Sequence, residues 1–192
     1  MKKGIFLLIV ILLSIFPSLI CAQTKTEETP KAPATKLEAL LVEKGKLVIK
    51  DSYELGTFSK LGVASFDALV IYEPGGENLR IKGIRVEIKE TGRVERSHTS
   101  FLDLEEIEST AKAIKYMMEL AEKWKGGSRE AYSEVTFATR GDFKIGFYQK
   151  DSKRSVYLFS GAVYRTTCFA DVEDFPAIKS ILDKGFSLLN QK

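Results

Sequence analysis

The sequence predicts an α+β fold, a mostly antiparallel sheet with two long amphipathic helices in a pseudo-duplicated β4α–β4α order. Three observations carry this reading. Short runs alternate with a period of two, most clearly Ile84, Val86 and Ile88 against Arg85, Glu87 and Lys89, which marks strands with one buried and one wet face. Two stretches, Leu104 to Trp124 and Phe175 to Leu189, repeat apolar residues at three- and four-residue spacing, the period of a helix with one apolar side. The junction before each helix is also written twice. Phe101-Leu102-Asp103-Leu104-Glu105-Glu106-Ile107 and Phe169-Ala170-Asp171-Val172-Glu173-Asp174-Phe175 match in type at an offset of 68 residues.

The elements follow in chain order. Residues 1–22 read as a secretory signal peptide: Lys2 and Lys3, an apolar run from Ile5 to Phe16, a break at Pro17, and cleavage after Ala22 to leave Gln23 first. Cys21 raises acylation as a lipoprotein, but Ile20 stands where a lipobox has a small residue, so cleavage is the expectation over a lipid anchor. The chain is then exported, periplasmic or secreted, with no membrane span after cleavage. Residues 23–36 carry Pro30 and Pro33 and no large apolar side chain, which predicts a disordered polar linker. Residues 37–192 make a single globular domain with half-repeats at about 46–127 and 128–192.

Within that domain Leu37–Val42 forms a helical turn or two, stopped at Gly45. Lys46–Ser52, Phe66–Tyr72, Leu79–Lys89 and Val94–Leu102 are strands, with a turn at Glu73-Pro74-Gly75-Gly76. Asp103 and Glu106 have the spacing of a capping box, and Gly126-Gly127 ends the helix that follows. On that helix Met118 is read as a core residue. Glu134–Thr139, Phe143–Gln149, Ser155–Ser160 and Thr166–Ala170 repeat the four strands. Pro176 requires the last helix to begin near Val172–Asp174. Each half is small, so the two are expected to share one core.

Composition narrows function mainly by exclusion. The 192 residues are 44% hydrophobic and 29% charged, with one histidine and two cysteines, which removes disulfide scaffolds and histidine-rich metal sites. Without residues 1–22, which hold two lysines and no acid, the net charge falls from +3 to about +1. No basic run suggests nucleic acid, which is not expected as a partner. The β4α–β4α order is similar to that of whirly-type single-stranded nucleic-acid binders, but none of their sequence motifs stands here. Nucleic-acid binding therefore enters as an alternative carried by architecture alone.

Catalytic constellations are thin. His98, in Glu95-Arg96-Ser97-His98-Thr99-Ser100, could serve as general base for a serine or for Cys168, the one cysteine left after cleavage, which gives a hydrolase-like alternative. No Gly-x-Ser-x-Gly elbow surrounds a serine, and the run around Cys168 reads as buried. The acids at 103–108 and 171–174 are helix starts without the spacing of a calcium loop. Gly75-Gly76 and Gly126-Gly127 lack the ending of a phosphate loop, so no cofactor is called for. Arg140-Gly141-Asp142 is the integrin-binding tripeptide, at the tip of an expected hairpin.

One surface remains. Phe137, Phe143 and Phe147 alternate inward, whereas Tyr148 and Tyr157 fall on the opposite parity with Lys144 near them. An aromatic and lysine face of this kind can hold a small molecule or a protein partner, or can be covered by the other half. The leading expectation is a non-catalytic binding or interaction module of the cell envelope or secreted fraction, its oligomeric state open.

Overall fold

A computed structural model describes residues 32–76, 79–92, 95–127 and 129–192, the side chain of Arg129 excepted. The export signal, Cys21, the cleavage position at Ala22 and Gln23, and residues 23–31 of the linker lie outside the described residues. Helix α1 (Lys36–Val42) leads into β1 (Ile49–Lys60), β2 (Gly62–Tyr72), β3 (Ile81–Glu90), β4 (Arg96–Asp103) and α2 (Leu104–Lys123). The order repeats as β5 (Arg129–Ala138), β6 (Phe143–Asp151), β7 (Lys153–Ser160), β8 (Thr166–Ala170), a 3₁₀ turn (Val172–Asp174) and α3 (Phe175–Gln191). Strands neighbour one another in chain order in both sheets, β1-β2-β3-β4 and β5-β6-β7-β8, and every pairing is antiparallel. The α+β class and the double β4α order are those of the sequence reading.

Several boundaries move for identifiable reasons. The first strand runs on to Lys60 because a bulge between Glu54 and Gly56 shifts the register and turns Leu55 into the core, which interrupts the period of two. The linker stops short of residue 36, since Thr35 caps α1 and its hydroxyl accepts from the Glu38 N–H at 3.1 Å. On α2 the buried methionine is Met117, with Met118 half-buried beside it, because the i+3 position from Ile114 points more directly inward. On α3 the core position is Gly185, and Phe186 is only half-buried.

The two junctions fold alike. The Asp103 N–H donates to Glu106 Oε2 at 3.2 Å, and the Asp171 N–H donates to Asp174 Oδ2 at 2.8 Å. In both places an acid three residues on reaches back to the residue before the helix. Pro176 sits in the first turn of α3, where its missing N–H costs nothing.

Helix α3 crosses to the other half's sheet, and α2 lies against strands of both sheets. α3 lies on the first sheet, where a Cβ placed on Gly185 would stand 2.6 Å from Leu55 Cδ1 and 2.7 Å from Ile84 Cδ1. Lys184 Nζ also donates to the Leu55 carbonyl at 2.8 Å, and Lys82 Nζ to the Leu189 carbonyl at 3.1 Å. The C-terminal end of α2 lies on the second sheet. Trp124 packs 5.2 Å from the Phe147 ring, and Arg154 Nη1 donates to the Ala121 carbonyl at 2.8 Å. Phe66, Val86, Ile114, Phe147, Phe175 and Leu182 thus belong to one continuous core drawn from both halves. Neither half could bury its apolar faces alone.

The outer faces differ. On the first sheet α1 forms a roof, with Leu37 completely buried against Leu69 and Ile71, and Leu40, Val48, Ile81 and Phe101 packed around them. The Asp103 carboxylate, 1% exposed, holds this roof by accepting from the N–H groups of Lys36 at 2.9 Å and Leu37 at 3.2 Å. These are orphan donors of the first turn of α1, whose dipole favours the negative charge. The second sheet has no such helix among the described residues. No described helix is long and apolar enough to cross a membrane.

Candidate functional site

The outer face of the second sheet can be built up row by row from strand register. Glu134 stands opposite Tyr148, and Tyr148 opposite Ser155. Thr136 stands opposite Gly146, Gly146 opposite Tyr157, and Tyr157 opposite Phe169. Ala138 stands opposite Lys144, and Lys144 opposite Phe159. Because side chains alternate across a strand, these rows share the side turned away from the core. Val135, Phe147, Val156 and Ala170 form a facing row on the other side.

Gly146 organises the centre of this face. A Cβ there would come 2.5 Å from the Tyr157 hydroxyl oxygen and 2.4 Å from the Val135 carbonyl. Tyr157 therefore lies flat across β6 and reaches β5, where its hydroxyl donates to Glu134 beside the Thr136 hydroxyl. Its ring stacks on Phe159 at 4.5 Å, and the residue is 2% exposed. Burial, followed by the neighbouring Glu134 carboxylate, holds the Tyr157 hydroxyl well above the ordinary tyrosine range. Tyr157 is thus the floor of the face.

Glu134 is the charged centre. Its Oε2 accepts from the Tyr132 hydroxyl at 2.9 Å, and its Oε1 accepts from the Thr136 hydroxyl at 2.9 Å and from Tyr157. Hydroxyl donation, from Tyr157 above all, keeps the carboxyl below its usual range and ionised. Among the described residues it has no lysine or arginine partner. Tyr132, 55% exposed, stacks on Tyr148 at 5.4 Å and an interplanar angle of 29°. Tyr148 also lines a groove of about 620 Å³ at the β6–β7 hairpin with Lys150, Lys153 and Arg154. Lys144 is half-buried beside Phe159, whose ring carries Arg165 5.4 Å from its centroid.

The repeat makes the difference between the two sheets measurable. Phe101 and Phe169 occupy matching positions before the two helices. Phe101 packs beneath α1, whereas Phe169 is 36% exposed. Asp103 likewise binds the start of α1, whereas the matching Asp171 bonds to Lys60 at the end of β1.

The other candidate residues lie elsewhere. His98 Nδ1 is 3.1 Å from Ser160 Oγ, and Ser160 Oγ is 2.7 Å from Ser100 Oγ, so β4 and β7 meet through a polar seam. Ser160 and Ser100 are both 0% exposed, which leaves no path for a substrate to either hydroxyl. Cys168 is buried, and loss of solvation pushes its thiol from an ordinary value near 9 up to about 11. A low-pKa nucleophile needs the opposite environment. Arg140 bonds through its side chain to Asp103 and Glu105 and through its N–H to Glu106. A Cβ on Gly141 would stand 2.1 Å from the Phe101 carbonyl, so the tripeptide is clamped against β4 and the start of α2 instead of standing out on a hairpin tip. No cluster of three metal-ligating side chains occurs among the described residues.

Tyr132 and Glu134 were not singled out from sequence. Their signal was there, since Tyr132, Glu134 and Thr136 alternate in parity with Tyr148 across the turn. An irregularity between Arg129 and Ser133 hides the start of β5. Neither a protein-family model nor a curated protein matches the chain.

Proposed function

We propose that this protein is an exported, non-catalytic binding module of the cell envelope or secreted fraction, and that the outer face of its second sheet is the ligand face. The observation that carries the reading is the asymmetry of a duplicated fold. One outer sheet face is roofed by α1 and sealed by Asp103, while the matching face presents Tyr132, Tyr148, Phe159 and Phe169 with no helix over them among the described residues. Tyrosine offers a large, rigid contact area with few torsions to immobilise, which suits a recognition surface. Tyr157 and Gly146 hold that surface flat from below, and Lys144 stands at its margin. The hydrolase alternative would need Ser160 or Cys168 to be reached by substrate, and both are enclosed.

A native mass spectrum of the protein purified from its own source tests this directly, with wild type compared to the Tyr132→Ala/Tyr148→Ala double variant. The reading expects a bound component on the wild type that is lost from the double variant. A component retained equally by both places the ligand elsewhere. Turnover that disappears with His98→Ala would replace the reading with an enzymatic one.

A further inference from the structure

The β6–β7 hairpin ends in a charge arrangement that the fold itself does not use. Lys150 and Lys153 face each other in register on either side of the turn at Asp151 and Ser152. The row before them that shares their side pairs Tyr148 with Ser155, so both lysines stand on the outer face beside the tyrosines. Like charges set directly opposite in an antiparallel pair weaken the hairpin that carries them. Both lysines are exposed, and neither meets an acid within ion-pair distance among the described residues. The groove of about 620 Å³ that they line with Tyr148 holds one acid, Asp151 in the turn itself. Its third cation, Arg154, is already donating to the Ala121 carbonyl. An unneutralised pair of ammonium groups against an aromatic wall is a local conflict that a bound anion relieves.

The rest of the face sets the size and chemistry of the ligand. Outer rows along a strand are two residues, or about 7 Å, apart. Glu134 stands opposite Tyr148, one such row from the lysines, and its carboxylate is held by hydroxyls. Tyr132 stacks on Tyr148 and is still largely exposed, which leaves apolar ring surface open on the same face. An anion as long as the whole face would be drawn by the lysines and repelled by Glu134. A ligand one ring across, acidic at one end and rich in hydroxyls at the other, suits all three features. Its acid group meets two ammonium groups, its polarised C–H bonds meet the electron-rich face of a tyrosine, and a hydroxyl donates to Glu134. We propose that the outer face at the β6–β7 hairpin binds a sugar ring carrying one phosphate or carboxylate, with the acid group on Lys150 and Lys153 and the ring against Tyr132 and Tyr148. This rests on the binding-face reading and names the ligand class of that face.

The test titrates the isotope-labelled protein with glucose 6-phosphate, glucuronic acid, glucose and inorganic phosphate, and follows amide and tyrosine ring signals. The proposal expects at least one of the two sugar acids to bind with a Kd at or below about 1 mM, and at least about tenfold tighter than glucose or inorganic phosphate. The tighter of the two identifies the acid group. Signals of residues 148–155 should move together with those of Tyr132, and added salt should weaken the acids while leaving glucose unchanged. Lys153→Glu turns two facing like charges into opposite ones. That variant should melt at or above the wild-type temperature and yet bind the sugar acid at least about tenfold more weakly. Lys150→Ala should weaken binding as well, by an independent change. Failure of both acids to reach that affinity, inorganic phosphate matching glucose 6-phosphate, or undiminished binding by Lys153→Glu each overturns the proposal. Glucose bound as tightly as the acids, with the Tyr132 and Tyr148 signals moving, overturns the choice of an anion and leaves the binding face standing. Shifts confined to residues away from both tyrosines and the hairpin remove the face as well.

Discussion

Truncating Asp103 to alanine removes one carboxylate on which three groups from elsewhere in the chain rely. The Leu37 N–H, at 3.2 Å, is left buried without an acceptor, which costs about 1–3 kcal/mol. The Lys36 N–H, at 2.9 Å, is partly wet and recovers some of its loss from water, so about 1 kcal/mol is a fair share. Arg140 is half-exposed and keeps Glu105 and Glu106, so it adds close to nothing. The sum is about 3 kcal/mol, or a melting temperature lower by roughly 6–12 °C for a domain of this size. Denaturant unfolding with tryptophan fluorescence would measure the loss, and amide exchange should show α1 opening before the sheets. Because both residues act by seating α1, Asp103→Ala and Leu37→Ala should be non-additive by more than about 0.5 kcal/mol. A loss under about 1 kcal/mol, or strict additivity, would refute the idea that Asp103 pins the roof.

Other outcomes follow from the same contacts. Cys168 holds its proton in the folded state up to about 11 but releases it near 9 when unfolded, so the folded form binds more protons in that interval. Stability from this group is complete below pH 9 and declines as pH rises towards 11, by about 3 kcal/mol, and Cys168→Ala should flatten that slope in urea titrations. Gly141→Ala drives a methyl to 2.1 Å from the Phe101 carbonyl, a backbone atom that cannot step aside, and should lower stability by about 1–3 kcal/mol in thermal unfolding. Ser160→Ala leaves the buried Ser100 hydroxyl without its 2.7 Å partner and should cost about 1–3 kcal/mol in the same assay, with binding at the second sheet unchanged.

Much of the fold was legible because period and capping are local properties. Ile84, Val86 and Ile88 declare a half-buried strand, and Asp103 with Glu106 and Asp171 with Asp174 declare two helix starts that the structure repeats. The crossing of α3 was not legible, since nothing in the spacing of Ile178 and Leu182 says which sheet they cover. The fit of Gly185 against Leu55 and Ile84 shows it, together with the bonds of Lys184 and Lys82 between α3 and the first sheet. The proposed binding face was half legible. Parity placed Lys144, Tyr148 and Tyr157 on the outer side, but whether that side is covered depends on where α1 lies, and Asp103 settles this through bonds spanning more than sixty residues. Sequence also could not say that Tyr157 lies flat, because that posture depends on Gly146 two strands from Phe169 in register.

Photo-crosslinking in the native source addresses the central claim most directly. A benzoyl-phenylalanine would be placed in turn at Tyr132 and Phe169 on the second sheet's outer face, and at Tyr116 on the exposed side of α2 as a control. The binding-face account predicts a discrete adduct from positions 132 and 169 and none from 116. Adducts of equal yield from all three, or from 116 alone, would contradict it.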